Sequence, residues 1–128
     1  MANNIQKYYT RIIGIYFLLI ILTLIIDFYN NGHRPETWHK LFHILLGIII
    51  IKFGWNNKNF WKPFSIFNGL LFLFAAAFGF TFPSFANKVG LEAFSISDTY
   101  LHAIVGILGI VVYFSDAISR HQRKAYKH

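Results

Sequence analysis

The sequence predicts an all-α protein, a bundle of four transmembrane helices built from two repeated helical hairpins. This prediction rests on four long apolar stretches, on the composition and on the placement of the basic residues. Of the 128 residues, 55% are hydrophobic and 13% are charged, which is too little charge to cover the surface of a soluble domain. The lipid bilayer is therefore the expected solvent, and residues 1–128 are expected to form a single integral membrane domain.

Each apolar stretch is extended by its flanking residues, because a spanning helix needs about 20 residues. Pro35 suits the first position of the second helix. Ser95, followed by Asp98 one turn later, resembles a capping box at the start of the fourth helix. The predicted spans, by residue number, are about 10–29, 35–55, 63–83 and 97–118, followed by a basic cytoplasmic tail at 119–128.

The basic residues predict the direction of insertion. Nine of the 12 lie before the first span, between the second and third, or after the fourth: Lys7, Arg11, Lys52, Lys58, Lys62, Arg120, Arg123, Lys124 and Lys127. Because basic residues concentrate on the cytoplasmic side, the protein is expected in the cytoplasmic (inner) membrane with both termini in the cytoplasm. These residues do not form one amphipathic face, so no nucleic-acid partner is expected despite the formal net charge of +7.

The second half of the chain resembles the first. The second helix of the first half aligns with that of the second half at a constant offset, which superposes His43 on His102 and Gly47 on Gly106. Each half thus carries the pattern His-x-x-x-Gly at the same depth. An even number of spans in each half inserts both halves in the same direction, related by an axis along the membrane normal. The sequence therefore predicts two copies of one hairpin.

The two aligned segments also carry a resemblance to a known family. They are Asp98-Thr99-Tyr100-Leu101-His102-Ala103-Ile104-Val105-Gly106 and Lys40-Leu41-Phe42-His43-Ile44-Leu45-Leu46-Gly47. Over about residues 9–116 the chain resembles a family of small four-helix bacterial and archaeal membrane proteins known as a domain of unknown function. Members look like a doubled hairpin whose second helix in each half has an Asn- or Asp-rich entry, then Leu-His and an apolar stretch with Gly. The resemblance implies a fold and a membrane location, and it implies no reaction.

His43 and His102 are the main candidate site residues, because an ionisable residue buried in a membrane is by default a functional candidate. If the second and fourth helices face each other, the two imidazoles lie at equal height and could bind a haem iron from both sides. A chlorophyll could use either one. Gly47 and Gly106 would leave room for a porphyrin edge. The alternative is that each His hydrogen-bonds to a neighbour and each Gly permits close helix contact.

Glu36, His39 and His43 form a second candidate, a metal site. Spacings of three and four residues place them on one face of the second helix, and Glu and His side chains are zinc ligands. The chain has no Cys for a thiolate site. The alternative is a solvated polar helix entrance in the headgroup region.

The sequence predicts a non-catalytic protein, since it offers no phosphate-binding Gly loop, no nucleophile with a nearby base and no charged residue near the middle of a span. The leading hypothesis is an accessory or structural subunit of a larger membrane protein complex, in contact with lipid and with other membrane subunits or further copies of itself. One alternative is a haem- or chlorophyll-binding redox or light-harvesting component that uses His43 and His102. The other is a small oligomeric channel or transporter.

Overall fold

The structure is a computed structural model that describes residues 2–84, 88 and 95–127. Within these residues the chain forms four helices and no strand, and the helices are α1 (Ala2–Asn31), α2 (Pro35–Gly54), α3 (Lys58–Thr81) and α4 (Ile96–Tyr126). All four are long and apolar enough to cross a membrane. The predicted all-α architecture with four spanning helices is therefore confirmed.

The ends of α2 and α3 follow from local chemistry. Pro35 occupies the first turn of α2 as predicted, where its missing N–H costs nothing. The Thr37 hydroxyl accepts a hydrogen bond from the Arg34 backbone N–H at 3.1 Å. Helix α3 begins earlier than predicted, because the Asn57 side chain accepts a hydrogen bond from the Asn59 backbone N–H at 3.0 Å and caps the helix at Lys58.

Helix α4 begins and ends differently from the prediction. Ser95 is its N-cap, but its side chain makes no capping hydrogen bond, so the predicted capping box is wrong in its chemistry although right in its position. The helix continues to Tyr126, which makes most of the predicted tail at 119–128 a helical extension of the fourth span. Residue His128 of that tail lies outside the described residues.

In the first hairpin, α1 packs mainly against α2, and a glycine sets how closely the two helices approach. A Cβ atom at Gly47 would lie 3.0 Å from the Leu18 backbone nitrogen and 3.1 Å from the Gly14 carbonyl oxygen. Small residues permit this close approach of two backbones inside a membrane.

In the second hairpin, α3 packs mainly against α4, again around a glycine. A Cβ atom at Gly106 would lie 2.8 Å from the Leu73 backbone nitrogen and 2.9 Å from the Gly69 carbonyl oxygen. This contact is tighter than the one in the first hairpin, so the α3–α4 pair has less room for any side chain.

The two hairpins meet through an apolar core that includes Ile13, Phe17 and Phe72. Buried polar groups cross the same interface: the Asn68 amide donates to Tyr9 Oη at 2.8 Å, and the Gln6 amide donates to the Val112 carbonyl oxygen at 3.3 Å. Because lipid offers no hydrogen bonds to replace these, they fix how α1 sits against α3 and α4.

Ion pairs close both ends of the bundle. At the end where α2 begins, the Arg34 guanidinium contacts the Asp27 carboxylate of α1, with Nε to Oδ2 at 3.1 Å. At the opposite end, Lys62 Nζ of α3 lies 2.8 Å from Asp116 Oδ2 of α4, and Arg120 lies 3.5 Å from the same oxygen. The first hairpin and the second are thus each tied by a charged contact.

Candidate histidine site

A line of three hydrogen-bonded side chains runs along α2. Glu36 Oε1 lies 2.8 Å from His39 Nδ1, and His39 Nε2 lies 2.8 Å from His43 Nε2. The line descends roughly 10 Å along the helix, at about 1.5 Å per residue. Glu36 is only 2% exposed, so the carboxylate that begins the line is itself inside the protein.

The hydrogen bonds in this line constrain where the protons lie. When Glu36 is ionised, its oxygen accepts the proton-bearing Nδ1 of His39. Neutral His39 then has its lone pair on Nε2, which accepts a hydrogen bond from Nε2–H of His43. The remaining nitrogen of His43, Nδ1, therefore carries a lone pair. Nδ1 is buried and has no hydrogen-bond partner among the described residues.

His102 of α4, in the other hairpin, lines the same two cavities as His39 and His43. It is 8% exposed, and its Nδ1 also lacks a hydrogen-bond partner within the described part of the chain. A neutral imidazole carries one N–H donor and one lone pair. Burying a ring nitrogen without a hydrogen-bond partner costs free energy. The buried Nδ1 of His102 is such a nitrogen.

Aromatic rings surround the histidines. The Phe17 ring centroid lies 4.8 Å from that of His43. The Phe72 ring lies 6.3 Å from His43 and 5.1 Å from His102, between centroids, and therefore contacts both imidazoles. Phe17 and Phe72 also stack on each other at 5.9 Å. The histidines thus lie in an apolar, aromatic environment.

Two cavities open beside the histidines, and both are lined by His39, His43 and His102. The first, of about 350 Å³, lies between α2 and α3. The second, of about 340 Å³, lies between α1, α2 and α4, and its lining also includes Glu36 and Asp98. The bundle therefore leaves space beside the two imidazoles whose Nδ1 atoms lack partners in the described part of the chain.

The structure brings His43 and His102 to the same two cavities, whereas Gly47 and Gly106 lie elsewhere. Both glycines are contact points within their own hairpins, so the expectation that they leave room for a porphyrin edge does not match their placement. A tetrapyrrole shared by both histidines would also meet Phe72, which contacts the two rings.

Glu36, His39 and His43 lie on one face of α2, as the spacing predicts. They are joined in a line in which His39 uses both ring nitrogens, instead of pointing at one common centre. Within the described part of the chain, no group of three His, Cys, Asp or Glu side chains is arranged to hold a metal ion. The predicted metal site gains no support from this geometry.

Sequence reasoning missed Phe17 and Phe72, the aromatic neighbours of the histidines. Phe is common in this chain, with 15 copies, so the residue type alone gives no signal. The repeat does carry one, since Phe17 follows Gly14 at the same spacing at which Phe72 follows Gly69.

Comparisons of the chain with protein family models, with curated proteins and with solved structures find no match. The resemblance to the doubled-hairpin family therefore stays a prediction, and the function is argued from the site itself.

Proposed function

We propose that this chain is a non-catalytic accessory subunit of a larger membrane assembly, and that it holds a small membrane-soluble ligand at His43 and His102. The observation that carries this proposal is the pair of buried imidazole nitrogens without hydrogen-bond partners among the described residues, on side chains that line the same open cavities. A bound ligand with a polar group supplies the missing partners.

Buried nitrogens without hydrogen-bond partners cost free energy. A buried polar group without a partner costs about 1–3 kcal/mol, and two lie close together here. A structural role alone is served better by apolar residues, which fill space without that cost. The two unpartnered Nδ1 atoms therefore favour a ligand-binding role over a purely structural one.

We propose that the chain lies in the cytoplasmic membrane with both termini and the α2–α3 connection on the cytoplasmic side. The distribution of basic residues supports this orientation. Under it, Glu36 and the histidines lie nearer the outer surface, and Lys62 with Asp116 lies nearer the cytoplasm. The exposed basic end of α4 then faces the cytoplasm.

The accessory role is supported by what the site contains. Its side chains can donate and accept hydrogen bonds, but they include no nucleophile held by a base and no group that changes redox state by itself. We propose that a partner subunit supplies any chemistry performed on the ligand. The apolar core of Ile13, Phe17 and Phe72 gives less support to a channel through one copy of the chain.

A tetrapyrrole is the second candidate for the bound ligand. The observation in its favour is that His43 and His102 line the same two cavities, as a shared axial pair requires. The cost is that the Phe72 ring must move away from both imidazoles.

We also propose that the two hairpins are copies of one unit. The support is that Gly47 contacts Leu18 and Gly14, whereas Gly106 contacts the corresponding pair in the second half, Leu73 and Gly69. In this view the two histidines occupy equivalent positions, and the site lies where the copies meet.

The test uses protein purified from its native source in mild detergent. We expect a complex larger than the single chain, and a small molecule in its organic extract by mass spectrometry. Replacing His102 or His43 by Leu should deplete that molecule, whereas His121→Leu on the exposed end of α4 should not. A monomer that carries no small molecule would contradict the proposal, and a visible absorption band lost in His102→Leu would favour the tetrapyrrole.

A further inference from the structure

We propose that the ligand at the histidines is an isoprenoid quinol, a flat hydroxylated ring with a long apolar tail. The inference rests on the ligand-binding role proposed above and adds the chemical class of the ligand. It is argued from three features of the described residues: the hydrogen bonds that the imidazoles lack, the aromatic walls of the cavity, and an apolar groove that continues from it.

The first feature selects a hydroxyl group. With Glu36 ionised and His39 neutral, His43 Nδ1 carries a lone pair and needs a donor. When neutral His102 carries its proton on Nδ1, that N–H needs an acceptor. A hydroxyl has both capacities, because its oxygen can accept from His102 while its O–H donates to His43. A carbonyl oxygen accepts only, so it leaves the His43 lone pair without a partner.

The second feature selects a flat ring. The cavity between α2 and α3 is lined by four phenylalanines in addition to the three histidines: Phe42, Phe72, Phe74 and Phe78. Aromatic side chains pack favourably against other rings in stacked or edge-on arrangements. A hydroxylated aromatic ring therefore matches both the polar and the apolar parts of this wall.

The third feature selects an apolar tail. A further cavity of about 470 Å³ lies between α2 and α3 toward the end of α2, and it shares Leu46 and Leu71 with the histidine cavity. We call the two together the α2–α3 groove. Its wall on α3 extends over residues 59–78, roughly 28 Å at the helical rise, which is close to the apolar thickness of a bilayer.

The groove favours an isoprenoid over a phospholipid. Among the described residues, no Lys or Arg lines either cavity of the α2–α3 groove, so a phosphate group inside the groove would have no cation to pair with. Lys40 lines the other histidine cavity, between α1, α2 and α4. The uncharged hydroxyl of a quinol needs no cation. The ring at the histidines and the tail along Leu46 and Leu71 together occupy the space that α2 and α3 leave open.

The first experiment measures binding of decylubiquinol and decylubiquinone to the full chain in phosphatidylcholine nanodiscs, by quenching of tryptophan fluorescence. We expect the quinol to bind about tenfold more tightly, since one hydrogen bond is worth up to about that factor. His43→Leu should weaken quinol binding by a similar factor and remove the preference, whereas His102→Leu should weaken the binding of quinol and quinone alike. The exposed His121→Leu variant is the matched control and should bind as the wild type does.

The second experiment separates the tail from the ring. Leu71→Trp should obstruct the α2–α3 groove where its two cavities join. It should therefore weaken decylubiquinol binding about tenfold or more. The affinity for dimethoxymethyl-benzoquinol, which lacks the tail, should not change. Leu70→Trp is the matched control, because Leu70 is exposed on the neighbouring face and lines neither cavity.

The two proposals fail in different ways. The quinol inference is overturned if quinol and quinone bind with equal affinity. It is also overturned if neither His102→Leu nor Leu71→Trp weakens quinol binding. If the native protein carries another small molecule that His102→Leu removes, only the quinol inference is overturned. If the native protein carries none and no probe binding depends on His102, both are overturned.

Discussion

The close contact of Gly106 with α3 gives a sharp test of the fold. In Gly106→Ala, the new Cβ would lie 2.7 Å from Leu73 Cγ, 2.8 Å from the Leu73 backbone nitrogen and 2.9 Å from the Gly69 carbonyl oxygen. The Leu73 side chain can rotate away, but the two backbone atoms cannot. Helices α3 and α4 must therefore separate by several tenths of an ångström.

The expected cost follows from two opposing effects. Overpacking of this kind costs about 1–3 kcal/mol, whereas replacing Gly by Ala within a helix gains up to about 1 kcal/mol. We expect Gly106→Ala to lower the free energy of unfolding by about 1–2 kcal/mol. Gly47→Ala is the matched control in the first hairpin, where the corresponding distances are 3.0–3.1 Å, and its two effects should cancel to within about 0.5 kcal/mol.

The assay is reversible unfolding by SDS in mixed micelles, followed by far-ultraviolet circular dichroism. The wild type and both variants are compared at equal detergent concentration, so the difference between them isolates the α3–α4 contact. If Gly106→Ala is as stable as the wild type, or if Gly47→Ala is the more destabilised of the two, the packing described for the hairpins is wrong.

Two further predictions concern the ends of the bundle. In cells expressing single-cysteine variants, a cysteine at Asn31 should react with an impermeant thiol reagent and one at Asn57 should not; the reverse pattern would overturn the proposed orientation. Lys62→Met should lower the free energy of unfolding by about 1 kcal/mol, because Lys62 joins α3 to Asp116 of α4 at 2.8 Å. Arg120→Met, which removes a longer contact within α4, should cost less in the same SDS titration.

Much of the helix architecture could be predicted because it depends on local sequence. The apolar stretches predict four spans, and Pro35 predicts the start of α2, which begins at that residue. Helix α3 begins before its predicted start, since the cap supplied by Asn57 lies outside the apolar stretch. The fourth helix continues past its apolar part to Tyr126, because polar and basic residues are good helix formers once they leave the membrane.

The candidate site could be predicted only in part. The repeat indicated His43 and His102 as a pair, and both line the same cavities. The spacing of Glu36 and His39 indicated a shared helix face. What the spacing could not tell was whether these side chains converge on a metal ion or bond to one another, because that depends on side-chain rotation about the helix surface.

The sequence by itself determined four helices long and apolar enough to cross a membrane, because hydropathy and helix-end signals act within one stretch of chain and need no partner. Only the tertiary structure decided which faces of the helices meet. It placed Gly47 and Gly106 at backbone contacts, put Phe72 beside both histidines and left the α2–α3 groove open. In a chain with apolar residues on every side of its helices, the inward face is selected by close packing and hydrogen bonding between helices, and those contacts exist only once the bundle has formed.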